Sequence, residues 1–232
     1  MAVRIVTDSA SDLSHAEAEA LGIEIVPLSI RFGDDEYTDR SDLTVSEFYR
    51  LMDELDVLPE TAAPSPGAFE VAFRALASEG ADAIVCINLS VALSATGQIA
   101  QTAAAAVADT IEVRCIDSES ITAGLGTMVL GAARAAAQGA SLHEVVSLVE
   151  DLRPRTRVFG VLDTLDNLKK GGRIGGAQAM LGTVLSIKPC VDLSTGVVCS
   201  SSGAEWRAGT GATKWPSTIG CNGRKCRNDS VV

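Results

Sequence analysis

The chain has 232 residues, 47% of them hydrophobic and 21% charged, which suits one large or two modest globular domains and excludes a disordered chain. Its formal net charge of −11, with a sequence pI near 4.6, argues against a basic grip on nucleic-acid phosphates. Mean hydropathy is +0.23, but no run of ~18 apolar residues is present, and the first eight residues turn acidic too soon for a signal peptide. A cytoplasmic protein without integral membrane contact is therefore expected.

Val3–Thr7 is a β-branched run ending in Asp8-Ser9-Ala10-Ser11-Asp12, a buried strand entering a polar loop. Ser14 and Glu17 form a capping box for a brief helix closed by Gly22. Ile23–Phe32 is extended and apolar, and Gly33-Asp34-Asp35 supplies a turn before a short strand around Tyr37, so a hairpin insertion is expected near 23–42. Thr44 and Glu47 form a second capping box. Phe48, Leu51, Met52 and Leu55 then give one helical face.

Ser65 caps a helix with Pro66 at its first position and Phe69, Ala72, Phe73 and Leu76 on its apolar stripe. Ala83–Asn88 reads as a buried strand, Ser94-Ala95-Thr96 opens a helix to about Ala108, and Ile111–Ile116 is a third strand. Helices are expected at 122–138 and 141–152, the second capped by Ser141 with Glu144. This alternation predicts an α/β fold with a mostly parallel sheet and flanking helices. Pro154 marks a boundary; beyond it strands are expected at Arg157–Leu162 and Ile187–Leu193, with a helix at Gly176–Ser186. The expected organisation is an N-terminal α/β domain over 1–152, the beginning of a second α/β domain over 153–198, and a divergent disordered tail over 199–232.

Hydroxyls gather where strands end or helices begin: Ser9 and Ser11, Thr61 and Ser65, Ser90, Ser94 and Thr96, then Ser118 and Ser120. Ligands of open α/β sheets settle at the carboxyl ends of the strands, where helix N-termini favour an anion. Ordinary N-capping is the plainer reading of any single serine. His15 and His143 lie in polar, acidic surroundings and read as solvated. No Ser/His/Asp set, metal cluster, dinucleotide loop or Walker A motif can be assembled, so neither a metal nor a cofactor is expected. Asp8 after the first strand invites a hydrolase or phosphatase reading, which Ala10 weakens by standing where a second aspartate would be needed.

In order, Thr7-Asp8-Ser9-Ala10-Ser11-Asp12-Leu13, Gly22-Ile23 with Val26-Pro27-Leu28, Thr61-Ala62-Ala63-Pro64-Ser65, Leu93-Ser94-Ala95-Thr96, Ile116-Asp117-Ser118, and Thr164–Ile174 followed by Ile187-Lys188-Pro189 resemble the signatures of the DegV family of bacterial fatty-acid-binding proteins. The resemblance covers residues 3–198. It implies a carrier rather than an enzyme: one long-chain fatty acid held between two α/β domains, its carboxylate bonded to hydroxyls and presented to a separate ATP-dependent fatty acid kinase subunit. It assigns ligand binding to Thr61, Ser94, Thr96 and Arg173. Ser94 would head a helix whose amides favour the carboxylate, and Arg173, on a glycine-flanked loop, would sit near the carboxylate or face the partner. Two departures stand out: Ala62-Ala63 replaces the family's Ser-Gln, and Val91 stands where a second serine is common.

The last 34 residues follow a different pattern. Residues 199–232 carry a net charge of +3 against −14 for residues 1–198, and hold half of the cysteines and both tryptophans. The family's late His-Thr-Gly-Pro-Gly-like segment is not recognisable there. A truncated or frame-shifted reading after residue 198, leaving an exposed strand edge and a non-functional product, is the corresponding expectation.

Overall fold

Short β-branched runs alternating with alanine-rich helices build a parallel sheet covered on both faces. The computed structural model describes residues 2–55, 57–181, 187–200 and 206–207. In chain order the first unit contains β1 (Val3–Asp8), α1 (His15–Leu21), β2 (Ile23–Val26), β3 (Ser29–Phe32), β4 (Asp35–Thr38), α2 (Val45–Glu54), β5 (Glu60–Ala62), α3 (Pro66–Ser78), β6 (Ala83–Asn88), α4 (Thr96–Ala106), β7 (Glu112–Asp117), α5 (Thr122–Ala137) and α6 (Leu142–Leu152). The second unit contains β8 (Phe159–Val161), α7 (Asp166–Lys170), β9 (Ile187–Lys188), β10 (Cys190–Asp192), β11 (Cys199–Ser200) and β12 (Trp206–Arg207).

The main sheet is parallel with strand order β2-β1-β6-β7. All six residues of β6 are buried, as expected of a central strand with helices on both faces. One face is covered by α1, α5 and α6, whose core includes Leu125, Met128, Val129, Val145 and Val149. The other is covered by α3 and α4 around Phe69, Phe73, Leu76 and Val107. Phe69 and Phe73 are fully buried with ring centroids 5.9 Å apart, and burial of each stabilises by about 1.5–3 kcal/mol. The chain leaves β1 for β2 on one side and then crosses to β6 on the other. This makes the β1/β6 boundary a topological switch point, where ligands of such sheets bind.

The capping boxes at Ser14/Glu17, Thr44/Glu47 and Ser141/Glu144 all form, and Ser65 caps α3 ahead of Pro66. The extended run Ile23–Phe32 is divided. Its first half, β2, joins the main sheet, and β3 begins a separate antiparallel sheet of order β4-β3-β5. Pro27 lies at the division, where its missing N–H ends the ladder. Strand β5 has no alternation to announce it and forms by pairing Thr61 opposite Ile30. Helix α2 packs on this small sheet through Phe48, Leu51 and Met52 against Ile30, Phe32 and Leu43.

Past Pro154, strands β11-β10-β8 form an antiparallel sheet, and β12 pairs with β9. Pro189 splits the expected strand Ile187–Leu193 into β9 and β10. Instead of a helix from Gly176, a 3-10 helix spans Gly175–Met180, with Gly175 at φ +49°, and residues 182–186 lie outside the described part. Strand β10 is paired on both sides, by β8 and by β11, so it does not present the open edge foreseen for this region. Residues 201–205 and 208–232 lie outside the described residues, and with them the expectations of a disordered tail and an altered reading frame.

Helix α5 lies hard against the turn after β1. A Cβ on Gly126 would fall 2.5 Å from the Ser11 carbonyl oxygen, a backbone atom that cannot swing aside. Glycine to alanine inside a helix ordinarily stabilises by up to ~1 kcal/mol. Here Gly126→Ala should instead destabilise by about 2 kcal/mol through overpacking, seen as a lower urea midpoint. A midpoint equal to or above that of the parent protein would show that the helix can retreat at no cost.

Candidate functional site

Three loops meet at the carboxyl edge of the main sheet, and buried side chains lock them together. Asp8 ends β1, fully buried, and its carboxylate has three donors: Ala10 N on Oδ1 at 3.1 Å, and Asn88 Nδ2 and Leu89 N on Oδ2 at 3.0 and 2.9 Å. Burial pushes the Asp8 carboxyl above its ordinary value, and the Leu89, Asn88 and Ala10 donors oppose that shift without cancelling it. Both oxygens are engaged by the protein, so the group serves as a tie between β1 and β6. Ser9 Oγ accepts from Leu28 N at 3.1 Å, fixing the chain between β2 and β3.

The loop after β6 is held from both sides. Ser90 N donates to the Ser120 carbonyl at 2.9 Å, and Ser118 N donates to the Asn88 carbonyl at 3.1 Å. Asp117 Oδ1 accepts from Glu119 N at 2.9 Å and Val91 N at 3.3 Å. Asp12 and Glu119, on the loops after β1 and β7, and Thr122, the first residue of α5, have positive φ, a conformation costly for any side chain and most of all for a β-branched threonine. Such strain persists only where surrounding contacts over-determine it.

Leu93 N and Ser94 N both donate to the Ser90 carbonyl, forming the tight turn that delivers Ser94 to the start of α4. Helix α4 begins at Thr96 with Ala95 as N-cap, two residues later than the sequence suggested. The Ser94 hydroxyl is therefore poised just ahead of the helix. It accepts from Thr96 N at 3.3 Å and lies 2.9 Å from Thr96 Oγ1. Ser94 is half-buried and Thr96 fully buried. Gly97 lets Val91 close over this first turn, since a Cβ there would meet Val91 Cγ1 at 3.1 Å.

The second unit reaches this turn at two points. Arg173, exposed on its glycine-flanked loop, donates from Nε to the Leu93 carbonyl at 3.3 Å and from Nη1 to the Gly171 carbonyl at 2.6 Å. Ser90 Oγ donates to the Gly196 carbonyl at 2.8 Å. Gly196 sits at φ +75°, and a Cβ there would lie 2.6 Å from Ser90 Oγ and 3.0 Å from Glu119 Cα, so glycine is required on both counts. The Leu93 side chain packs against a small apolar cluster of the second unit that includes Leu165, Ile174, Val191 and Val198. The local chemistry is thus a pair of hydroxyls at a helix N-terminus, a guanidinium one residue away, and an apolar wall behind them.

Of the four residues singled out from sequence, Ser94, Thr96 and Arg173 come together through these bonds. Thr61 stands on the edge strand β5 of the small antiparallel sheet, exposed, and makes no hydrogen bond through its side chain among the described residues. Gly196 and Asn88 escaped the sequence reading; the Ser194-Thr195-Gly196 turn chemistry was the available signal for the first, and nothing local signals the second. His15 and His143 are exposed. Among the described residues no group of three His, Cys, Asp or Glu side chains could hold a metal ion, and no helix is long and apolar enough to cross a membrane. An open cleft of about 660 Å³ lies nearby between the first turns of α5 and the stretch 152–159, lined by Thr122, Thr127, Arg155, Val158 and Phe159 among others, but neither Ser94, Thr96 nor Arg173 lines it.

The family model of the DegV proteins, described as uncharacterised, matches residues 2–204. A DegV domain-containing protein of Halalkalibacterium halodurans is 34% identical over 196 residues, covering 84% of this chain and 69% of the relative. Among solved structures, a fatty-acid-binding DegV family protein of Thermus thermophilus superposes with a TM-score of 0.79 at 37% identity, covering 89% of this chain and 72% of that one. A stearic acid-binding protein of Eubacterium ventriosum superposes with a TM-score of 0.80 at 30% identity, covering 88% and 71% respectively. The family match runs a few residues beyond residue 198, into the strand Cys199–Ser200 that pairs with β10.

Proposed function

The chain belongs to the DegV family, and from that premise we propose that it binds one long-chain fatty acid, carboxylate against Ser94 and Thr96, and presents it in the cytoplasm to a separate ATP-using kinase subunit. The observation that carries this reading is the junction at Leu93. Its carbonyl holds Arg173, the next residue offers the Ser94 hydroxyl at the start of α4, and its side chain enters the apolar cluster of the second unit. Polar head and apolar tail thus find their partners on adjacent residues.

Hydroxyls and helix amides bond a carboxylate without neutralising it, so an oxygen keeps a lone pair for attack on the γ-phosphorus of ATP held by a partner. Arg173, exposed and bonded to the Leu93 and Gly171 carbonyls, can counter the charge that develops as the acyl phosphate forms. Thr61, whose hydroxyl has no bond among the described residues, supplies a further donor when the head group spans from α4 to the small sheet. No Walker A motif is present in the sequence, and the reading assigns ATP to the partner and the acyl chain to this carrier.

Mass spectrometry of organic extracts of the purified full chain tests this directly. A long-chain fatty acid should co-purify in up to molar equivalence, and incubation with ATP alone should yield no acyl phosphate. Extracts free of fatty acid, together with no uptake of added acid, would overturn the binding role; acyl phosphate made without a partner would overturn the carrier role.

A further inference from the structure

Two thiols under α4 take no part in the site described above. Cys86 on β6 and Cys115 on β7 are direct partners in the parallel ladder. Both belong to the face covered by α3 and α4, side by side across the ladder. Neighbouring strands run about 4.8 Å apart, inside the Cα separation that a disulfide spans. Cys86 is fully buried, whereas Cys115, on the outer strand of the sheet, is half-buried and reachable by a small solute.

The pair is chemically unequal. The S–H of Cys86 donates to Asn88 Oδ1 at 3.2 Å, and Cys115 is its direct partner on the next strand. The neighbouring Cys86 donor holds the Cys115 thiol below its ordinary value, while burial pushes the Cys86 thiol well up. The accessible sulfur is therefore the nucleophile and the buried one its neighbour.

We propose that Cys115 and Cys86 form a reversible oxidation site for hydrogen peroxide, with Cys115 oxidised first and Cys86 resolving it. The Cys115 thiolate attacks one peroxide oxygen and the O–O bond breaks, giving Cys115 sulfenic acid and hydroxide, which takes a proton to become water. Cys86 sulfur then attacks the sulfenic sulfur; the S–S bond forms, the S–O bond breaks, and a second water leaves with the Cys86 proton. Each sulfur is oxidised by one electron and the peroxide is reduced by two. The bond ties β7 to β6 and withdraws the Cys86 donor from Asn88, whose amide also holds Asp8 at the β1/β6 switch point. Oxidation is thereby linked through side chains to the loop that carries Ser90 and Ser94.

The full chain, treated with hydrogen peroxide, unfolded and capped with a maleimide, provides the test by peptide mapping. Cys86 and Cys115 should leave the labelled pool together, as one linked peptide pair lighter by two hydrogen atoms, and dithiothreitol should return both. Cys115→Ser should keep Cys86 labelled. Cys86→Ala should stop at a Cys115 sulfenic acid that dimedone traps. Both cysteines remaining labelled after peroxide, a bridge from Cys115 to a cysteine other than Cys86, or loss of Cys86 label in the Cys115→Ser variant would each overturn the proposal.

Discussion

Asp8→Ala should lower the free energy of unfolding by about 2–4 kcal/mol, the largest stability effect expected of any single polar substitution in the first unit. The substitution leaves Asn88 Nδ2 and Leu89 N without an acceptor, both in positions closed to water, and Ala10 N beside them. Each orphaned buried donor costs about 1–3 kcal/mol, and the sum is reduced because a carboxylate that was expensive to bury is gone. Asp8→Asn, which keeps the shape and one acceptor oxygen, should fall between the two. Urea denaturation with an unchanged m-value reads the effect, and a loss below about 1 kcal/mol for Asp8→Ala would remove the buried tie from the account. The pH dependence has a defined sign. The native carboxyl sits above its unfolded value, so the folded chain holds this proton more tightly. Its favourable contribution is complete below the unfolded pKa of about 3.9 and is lost as pH rises through the native one. That descending segment should be missing from the stability curve of Asp8→Asn.

How far the sequence foretells this molecule depends on the range of the interactions involved. Capping boxes and the apolar stripe of α3 are local, and Ser14/Glu17, Thr44/Glu47, Ser141/Glu144 and Ser65-Pro66 all fold as their spacing requires. The central strand β6 is equally legible, because a strand buried on both faces reads as a near-continuous apolar run. Strand β5 is not, since Glu60-Thr61-Ala62 has no exposed-buried alternation and is a strand only because β3 lies beside it. The same holds for β11, which pairing with β10 draws out of a Ser- and Gly-rich stretch. At the site, Ser94, Thr96 and Arg173 could be singled out one by one through motif resemblance. What joins them could not: the bond from Arg173 to the Leu93 carbonyl, and the Gly196 turn under Ser90, link residues 80 and 106 positions apart. Asp8 shows the opposite failure. Its position at the end of β1 invites a nucleophile, and only the positions of Asn88 and Leu89, on the neighbouring strand and just past it, show the carboxylate already occupied.

Removing two of the proposed head-group hydroxyls, Ser94→Ala with Thr61→Ala, should weaken fatty-acid binding by roughly 10²- to 10⁴-fold. A charge-assisted hydrogen bond to a partly desolvated carboxylate contributes about 1.5–3 kcal/mol, and two of them compound. The fold should be untouched, because Ser94 Oγ bonds only within its own turn and Thr61 Oγ1 bonds to nothing among the described residues. Calorimetric titration of the two single variants and the double one separates their roles. Ser94→Ala alone should weaken binding by about tenfold or more, as the hydroxyl at the start of α4 is lost while Thr96 and Arg173 remain. If Thr61 reaches the same carboxylate from the small sheet, its single variant weakens binding too, and the double variant exceeds either alone. A silent Thr61→Ala, with a double variant no weaker than Ser94→Ala, would confine the head group to α4 and the second unit. Binding of the double variant at the parent's affinity would remove the head group from this turn altogether and leave Ser94 as the capping residue that its bond to Thr96 N also describes.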